Sequence, residues 1–211
     1  MSKFTDLETR IRAVLEDENT VRFSSSLLAA ALRRALDDVD LQLPNISELE
    51  VTAAGSGRSL ALSGLTNCRY ILNINLGERL LEPEANFTYF LQDGVPTLHF
   101  SGSYIPQAGD ILRVRYACGY TIEGLEGEGI TTLPAAFESA LVNGAAAEAC
   151  FLRAGSLAER YGARPADPAR LMETGHLWHQ TFVRSLTGLK ALQDFGFPPG
   201  FALDLWDRRR S

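Results

Sequence analysis

Histidine and cysteine are scarce in this chain, three of each in 211 residues, and that scarcity narrows the chemistry open to it. Cys68, Cys118 and Cys150 are an odd number without CxxC spacing. They read as small buried hydrophobes of a reducing compartment, rather than as a disulfide framework or a metal site. Long apolar runs are also missing. Met1 to Asp17 alternates polar and apolar residues with no signal-peptide core, and no stretch approaches the roughly 18 residues that cross a bilayer. The expectation is a protein with no export signal and no membrane partner. Positive charge is in the minority: 20 Lys and Arg stand against 26 Asp and Glu, for a formal charge of −6 and a pI near 5.1. Such a chain repels phosphate on average, which argues against a sequence-specific DNA reader built on a basic face.

Signatures of catalysis are lacking as well. No GxSxG elbow, HExxH pair or Cys/His arrangement occurs. Gly55-Ser56-Gly57-Arg58 and Gly64 match neither GxxxxGK[ST] nor GxGxxG between strand and helix, and read as a hairpin turn. His176 and His179 are three apart on an expected helix, but nothing nearby supplies further metal ligands, so they read as structural. No catalytic residue, cofactor or metal ligand is assigned. Asp37, Asp38 and Asp40 cluster at an expected helix end, where the dipole disfavours them. They are either a solvated end or a contact for a basic partner.

What is present is an ordinary globular composition, 45% hydrophobic and 22% charged, sufficient for a core. Phe4, Leu7, Ile11, Val14 and Leu15 have helical spacing, and Thr5-Asp6-Leu7-Glu8 has the form of a capping box. Ser24 caps a second helix bearing Leu28, Ala31, Leu32, Ala35, Leu36 and Val39, with Phe23 as a staple and Pro44 as its limit. From Ile46 the period changes to two. Leu49 to Ala53 and Leu60 to Leu62 read as a hairpin, and further strands are expected at Tyr70 to Leu76, Phe87 to Leu91, Thr97 to Phe100 and Ile111 to Tyr116. Turns fall at Asp93-Gly94 and Ala108-Gly109-Asp110.

Glu123 to Gly129 interleaves glycine with acidic residues and predicts a mobile loop. An alanine-rich helix follows Pro134, carries Phe137, Leu141, Ala145 and Leu152, and is expected to stop near Gly155. A last helix opens at Asp167-Pro168 with Leu171, Leu177, Trp178, Phe182, Leu186 and Leu189. The fold class is therefore α+β: a helical bundle from the N- and C-terminal helices with a central antiparallel β-rich insertion. Its expected divisions are residues 1–45, an N-terminal helical pair; 46–130, the β-rich insertion with the acidic loop; 131–195, the helices completing the bundle; and 196–211, an extended tail. That tail joins Leu203, Leu205 and Trp206 to Arg208, Arg209 and Arg210 on a segment too short to bury its own apolar groups. It either docks on a neighbour or is disordered.

The opening helical pair, the turn Ile105-Pro106-Gln107-Ala108-Gly109-Asp110 leading into Ile111-Leu112-Arg113-Val114-Arg115-Tyr116, and Thr132-Leu133-Pro134 before the helix Phe137 to Leu152 span most of the chain. In this pattern the sequence resembles the head-to-tail adaptor (connector, head completion) proteins of tailed bacteriophages and related gene-transfer particles. The resemblance implies a non-enzymatic virion protein of the neck, assembled in the host cytoplasm as a ring of typically twelve copies. Its partners would be further copies of itself, the portal, a tail or tail-completion protein, and DNA passing through the lumen without sequence-specific binding. Leu203, Leu205, Trp206 and Arg208 to Arg210 are the interface candidates, the segment after Leu152 being unusually long for that family. Two alternatives remain at this stage: a tail-terminator or tail-completion ring protein, and, more remotely, a small enzyme with a noncontiguous site around His99, His176 or His179 and a perturbed carboxylate.

Overall fold

A computed structural model describes residues 2–65, 67–77, 79–101, 104–159 and 166–194. The chain is α+β and divides into two units. One is built from the residues up to Leu43 and from Tyr120 onward, the other from Pro44–Gly119.

The helical unit contains α1 (Phe4–Val14), α2 (Ser25–Gln42), α3 (Ala135–Ala158) and α4 (Ala166–Asp194). Leu7 and Ile11 of α1, Leu28, Leu32, Leu36 and Val39 of α2, Leu141, Ala145 and Cys150 of α3, and Phe182 and Leu186 of α4 form one buried core. The alanines of α3 let its neighbours approach closely. Phe182 of α4 sits against Gly144 of α3, and Phe151 of α3 against Gly175 of α4, so the two helices run antiparallel with a ring seated on a glycine at each crossing.

Ser24 caps α2, its Oγ accepting the Leu27 N–H at 3.2 Å. The cap of α1 lies elsewhere than the motif suggests. The helix opens after Lys3, whose N–H donates to Asp6 Oδ2 at 3.0 Å, while Glu8 turns to the Arg12 guanidinium at 2.6 Å. A strong charge partner on the next turn outcompetes the capping geometry for Glu8. The α1–α2 connection is organised by buried Asp17, whose carboxylate accepts the N–H groups of Val21, Arg22 and Phe23 and pairs with Arg12. Burial alone would raise this carboxyl; the three N–H donors and Arg12 together outweigh it and hold the group below its usual range.

The α3 helix does not stop near Gly155 but runs to Ala158: Gly155 itself is exposed, and a glycine within a helix costs about 1 kcal/mol, too little to end one whose adjacent Ala154 is buried and Leu157 half-buried. The acidic glycine-rich segment is also ordered rather than mobile, and it belongs with the helices. Its backbone bonds to itself, Gly124 N–H to Glu128 C=O at 2.9 Å and Glu128 N–H to Leu125 C=O at 3.0 Å, and Leu125 plugs the core. Gly124 and Gly127 supply the positive φ angles that let it close, the conformational freedom that had suggested mobility. Thus 120–130 folds with the bundle and not with the strands.

The β unit holds β1 (Asn45–Thr52), β2 (Ser59–Ala61), β3 (Cys68–Leu76), β4 (Arg79–Leu81), β5 (Phe87–Gln92), β6 (Val95–Phe100) and β7 (Ile111–Cys118). Two antiparallel sheets result, with orders β1-β7-β3-β4 and β2-β6-β5. Ile74, Leu81, Phe87, Leu98, Phe100, Leu112 and Val114 fill their shared core. The expected hairpin between Leu49–Ala53 and Leu60–Leu62 is not formed: β1 pairs along its whole length with β7, and β2 pairs with β6. Eight register pairs with β7 outweigh what a three-residue partner offers. Asp93-Gly94 does make a hairpin turn, joining β5 to β6 with both residues at positive φ. The turn before β7 is fixed by Asp110, whose carboxylate accepts the Tyr104 hydroxyl at 2.6 Å and the Gln107 N–H at 2.8 Å.

Candidate assembly surfaces

Leu203, Leu205, Trp206, Arg208, Arg209 and Arg210 lie outside the described residues. The surfaces that can be built from described residues are of three kinds.

The first is the outer face of the four-stranded sheet. Period-two alternation sends Glu48 and Glu50 of β1 outward opposite Arg115 and Arg113 of β7, and the Arg113–Glu50 pair closes at 3.2 Å. This face is charge-compensated. An exposed pair of this sort contributes little stability and serves better to fix register.

The second is the free edge of the three-stranded sheet. β5, Phe-Thr-Tyr-Phe-Leu-Gln, carries no charge and no proline, and it bonds through the sheet only to β6. Phe90, Leu91 and, across the turn, Val95 are 40%, 65% and 44% exposed. Edge strands are ordinarily protected by lysine, proline or a bulge, because an unpaired ladder with apolar side chains is a template for another chain. Here the start of the edge is covered, Pro83 bridging to Phe87 and the Glu84 N–H donating to the Phe87 carbonyl at 2.8 Å, while Thr88 to Gln92 carry no such device among the described residues. The residues of β5 were legible as a strand, but its place at an edge follows only from the β2-β6-β5 order.

The third is the long α4. Among those of its 29 residues whose burial is described, only Gly175, Phe182 and Leu186 are buried, and Met172, Leu177 and Val183 face outward. The three aspartates at the end of α2 are not a uniform solvated cluster. Asp40 is buried and accepts the Tyr120 N–H at 2.8 Å, so it joins the helix end to the chain returning from the strands. Asp38 is pushed up by burial, against the opposing charge of His179 and with help from Asp37.

His99 is not brought to the other two histidines. His99 lies on β6, with Nδ1 at 3.2 Å from the Ser59 hydroxyl, while His176 and His179 of α4 pack on Phe151 with ring centroids at 5.2 and 6.3 Å. Burial pushes the Cys150 thiol up to about 11, which leaves it protonated at neutral pH and a poor nucleophile. Cys68 and Cys118 are cross-strand neighbours and both are free thiols. Among the described residues no group of three or more His, Cys, Asp and Glu is arranged to hold a metal ion. No helix among them is long and apolar enough to cross a membrane.

No protein-family model matches the chain, and no curated protein matches it either. Among solved structures, it is similar to a chain in the neck of an empty gene transfer agent particle computed with C6 symmetry, at 16% identity and a TM-score of 0.28 over 78% of this chain and 86% of that one. It is also similar to a chain in the virion of a native gene transfer agent particle, at 15% identity and a TM-score of 0.30, covering 81% of this chain and 86% of the other.

Proposed function

We propose that this chain is a structural component of a phage-type neck: a head-to-tail adaptor, one of typically twelve copies in a ring between portal and tail, its lumen open to DNA. The observation that carries this reading is the β5 edge beyond Phe87, which gives each copy a stretch of strand able to pair with a neighbour while the core behind it is complete. A surface built for association, with chemistry-bearing residues dispersed, fits a joint better than a catalyst. The acidic charge of −6 suits a wall past which phosphates slide without being gripped. In this reading Leu203, Leu205 and Trp206 anchor on a neighbouring copy or on the portal, with Arg208, Arg209 and Arg210 at the rim. Assembly takes place in the host cytoplasm and the finished ring resides in the virion neck.

The test is the mass of the complex with purified portal, for the wild type and for Phe90→Lys. Exposed Phe90 makes the lysine tolerable to the fold, so circular dichroism should be unchanged while ring mass is lost. One or two copies per portal in the wild type would defeat the proposal. Association with tails but not portals would move the ring to the tail-completion position.

A further inference from the structure

Cys68 of β3 and Cys118 of β7 stand directly opposite each other in register, and both pack on the core of the β unit, so their side chains leave the sheet on the same face. A bulge between Cys68 and Tyr70 makes this so. Without its extra residue, Arg69 would take the place opposite Cys118. The neighbouring pair, Asn67 and Gly119, is a hydrogen-bonded one, the Gly119 N–H donating to the Asn67 carbonyl at 3.3 Å. Bonded and non-bonded pairs alternate along antiparallel strands, which makes Cys68 and Cys118 a non-bonded pair, whose Cα atoms lie about 4.5 Å apart. That separation falls within the roughly 4.4–6.8 Å that a disulfide spans. One rotation is needed. The Cys118 S–H donates to the Asn45 carbonyl at 3.3 Å and its Sγ lies 3.5 Å from Ser47 Oγ, both on the β1 side, and turning about Cα–Cβ carries the sulfur toward Cys68.

We propose that Cys68 and Cys118 are an oxidisable pair that closes into a cross-strand disulfide and stabilises the β unit. The chemistry is exchange with a small-molecule disulfide such as oxidised glutathione. The thiolate of one cysteine displaces a thiolate from that reagent to give a mixed disulfide, and the thiolate of the other displaces the second. Each protein thiol gives up its proton, and the two electrons lost by the protein sulfurs reduce the reagent to two free thiols. Both cysteines are only half-buried, which admits the reagent. Burial still pushes the Cys68 thiol up, so its thiolate is scarce at neutral pH and closure is slow. Cys150 is buried in the helical unit and takes no part.

The bond closes a loop that contains β4, β5 and β6, and so restricts the unfolded chain around the proposed association edge. Its timing rests on the neck reading: a chain assembled in a reducing cytoplasm carries the thiols, and a released particle meets the conditions in which the bond persists.

The full chain incubated with oxidised glutathione near the ordinary thiol pKa of about 8.5 tests the proposal. The expected product is lighter by two hydrogens, shows one titratable thiol in urea where the reduced chain shows three, and yields a peptide linking Cys68 to Cys118. Its melting temperature should rise by several degrees and return with dithiothreitol. Cys68→Ser and Cys118→Ser, their fold checked by circular dichroism, should lose both the mass change and the melting shift, while Cys150→Ala keeps them. Three thiols remaining, glutathione adducts that persist without ring closure, a link through Cys150, or a closed form that melts no higher overturns the proposal. A chain that closes the bond yet binds portals in only one or two copies keeps this assignment and loses the neck reading. A twelve-copy portal complex whose chains never close it sinks this inference alone.

Discussion

Gly175 is where α4 passes over the ring of Phe151. A β-carbon placed there would lie 2.5 Å from Phe151 Cε1 and 2.8 Å from Cδ1, nearer than non-bonded carbons approach. Gly175→Ala therefore sets two effects against each other. Replacing glycine in a helix interior gains about 0.5–1 kcal/mol from reduced unfolded-state entropy and better propensity. Overpacking costs about 1–3 kcal/mol, since Phe151 cannot move aside without losing its contacts to His176 and His179. Gly188, on the same helix with nothing within 4 Å of its would-be β-carbon, isolates the first effect. Gly188→Ala should stabilise, and Gly175→Ala should fall below it by the steric cost alone, about 1–3 kcal/mol, or several degrees in melting temperature for a chain of this size. Urea and thermal unfolding of both variants measure this difference. Equal stabilisation by the two alanines would refute the argument that a glycine is required at the crossing.

Other outcomes follow from the same contacts. Leu141→Asp places a charge at a fully buried position of α3 and should abolish the cooperative melt seen by circular dichroism. Asp17→Ala strips the α1–α2 connection of an acceptor for three N–H groups and of the partner of Arg12, and should cost roughly 3 kcal/mol in urea unfolding, the lower end for a broken buried pair because Arg12 keeps Glu8. The lowered pKa values of Asp17 and Glu138 contribute stability that is present above the ordinary carboxyl range and is lost as pH falls through their folded values, so the urea midpoint should drop below about pH 4, and less steeply in Asp17→Asn. Burial and the bond to Asp110 push Tyr104 up to about 12; its contribution persists below about pH 10 and disappears between there and 12, and Asp110→Asn should move its ultraviolet titration, taken as the difference from Tyr104→Phe, toward the ordinary phenol value.

Periodicity revealed the helices because burial on a helix repeats every three to four residues whatever the partner. Leu28, Leu32, Leu36 and Val39, and Leu171, Trp178, Phe182 and Leu189, stand on the inward or partly buried faces where spacing put them. The strands were visible for the same reason. What alternation does not encode is which strands pair, so neighbours in sequence, β1 and β2, were joined although each belongs to a different sheet. The three-residue β4 offers too few positions for any period to register.

Composition misled where one residue type serves opposite ends. Glycine among acidic residues suggested motion at Glu123 to Gly129, yet the same φ freedom closes a turn once Leu125 has a core to enter, and only the tertiary partner decides between the two. Asp40 resembled its half-buried neighbours Asp37 and Asp38 until Tyr120, 80 residues on, brought its N–H to within 2.8 Å. The proposed association surface was hidden for a related reason. Phe90 and Leu91 have the pattern of an ordinary half-buried strand, and what leaves them exposed is that no described strand pairs beyond β5, a property of the sheet rather than of its residues. Cys68 and Cys118 are likewise far apart along the chain and become neighbours only when β3 pairs with β7. A contact surface of this kind is specified by topology first and residue type second, which is why a chain lacking any catalytic signature can still carry well-defined sites.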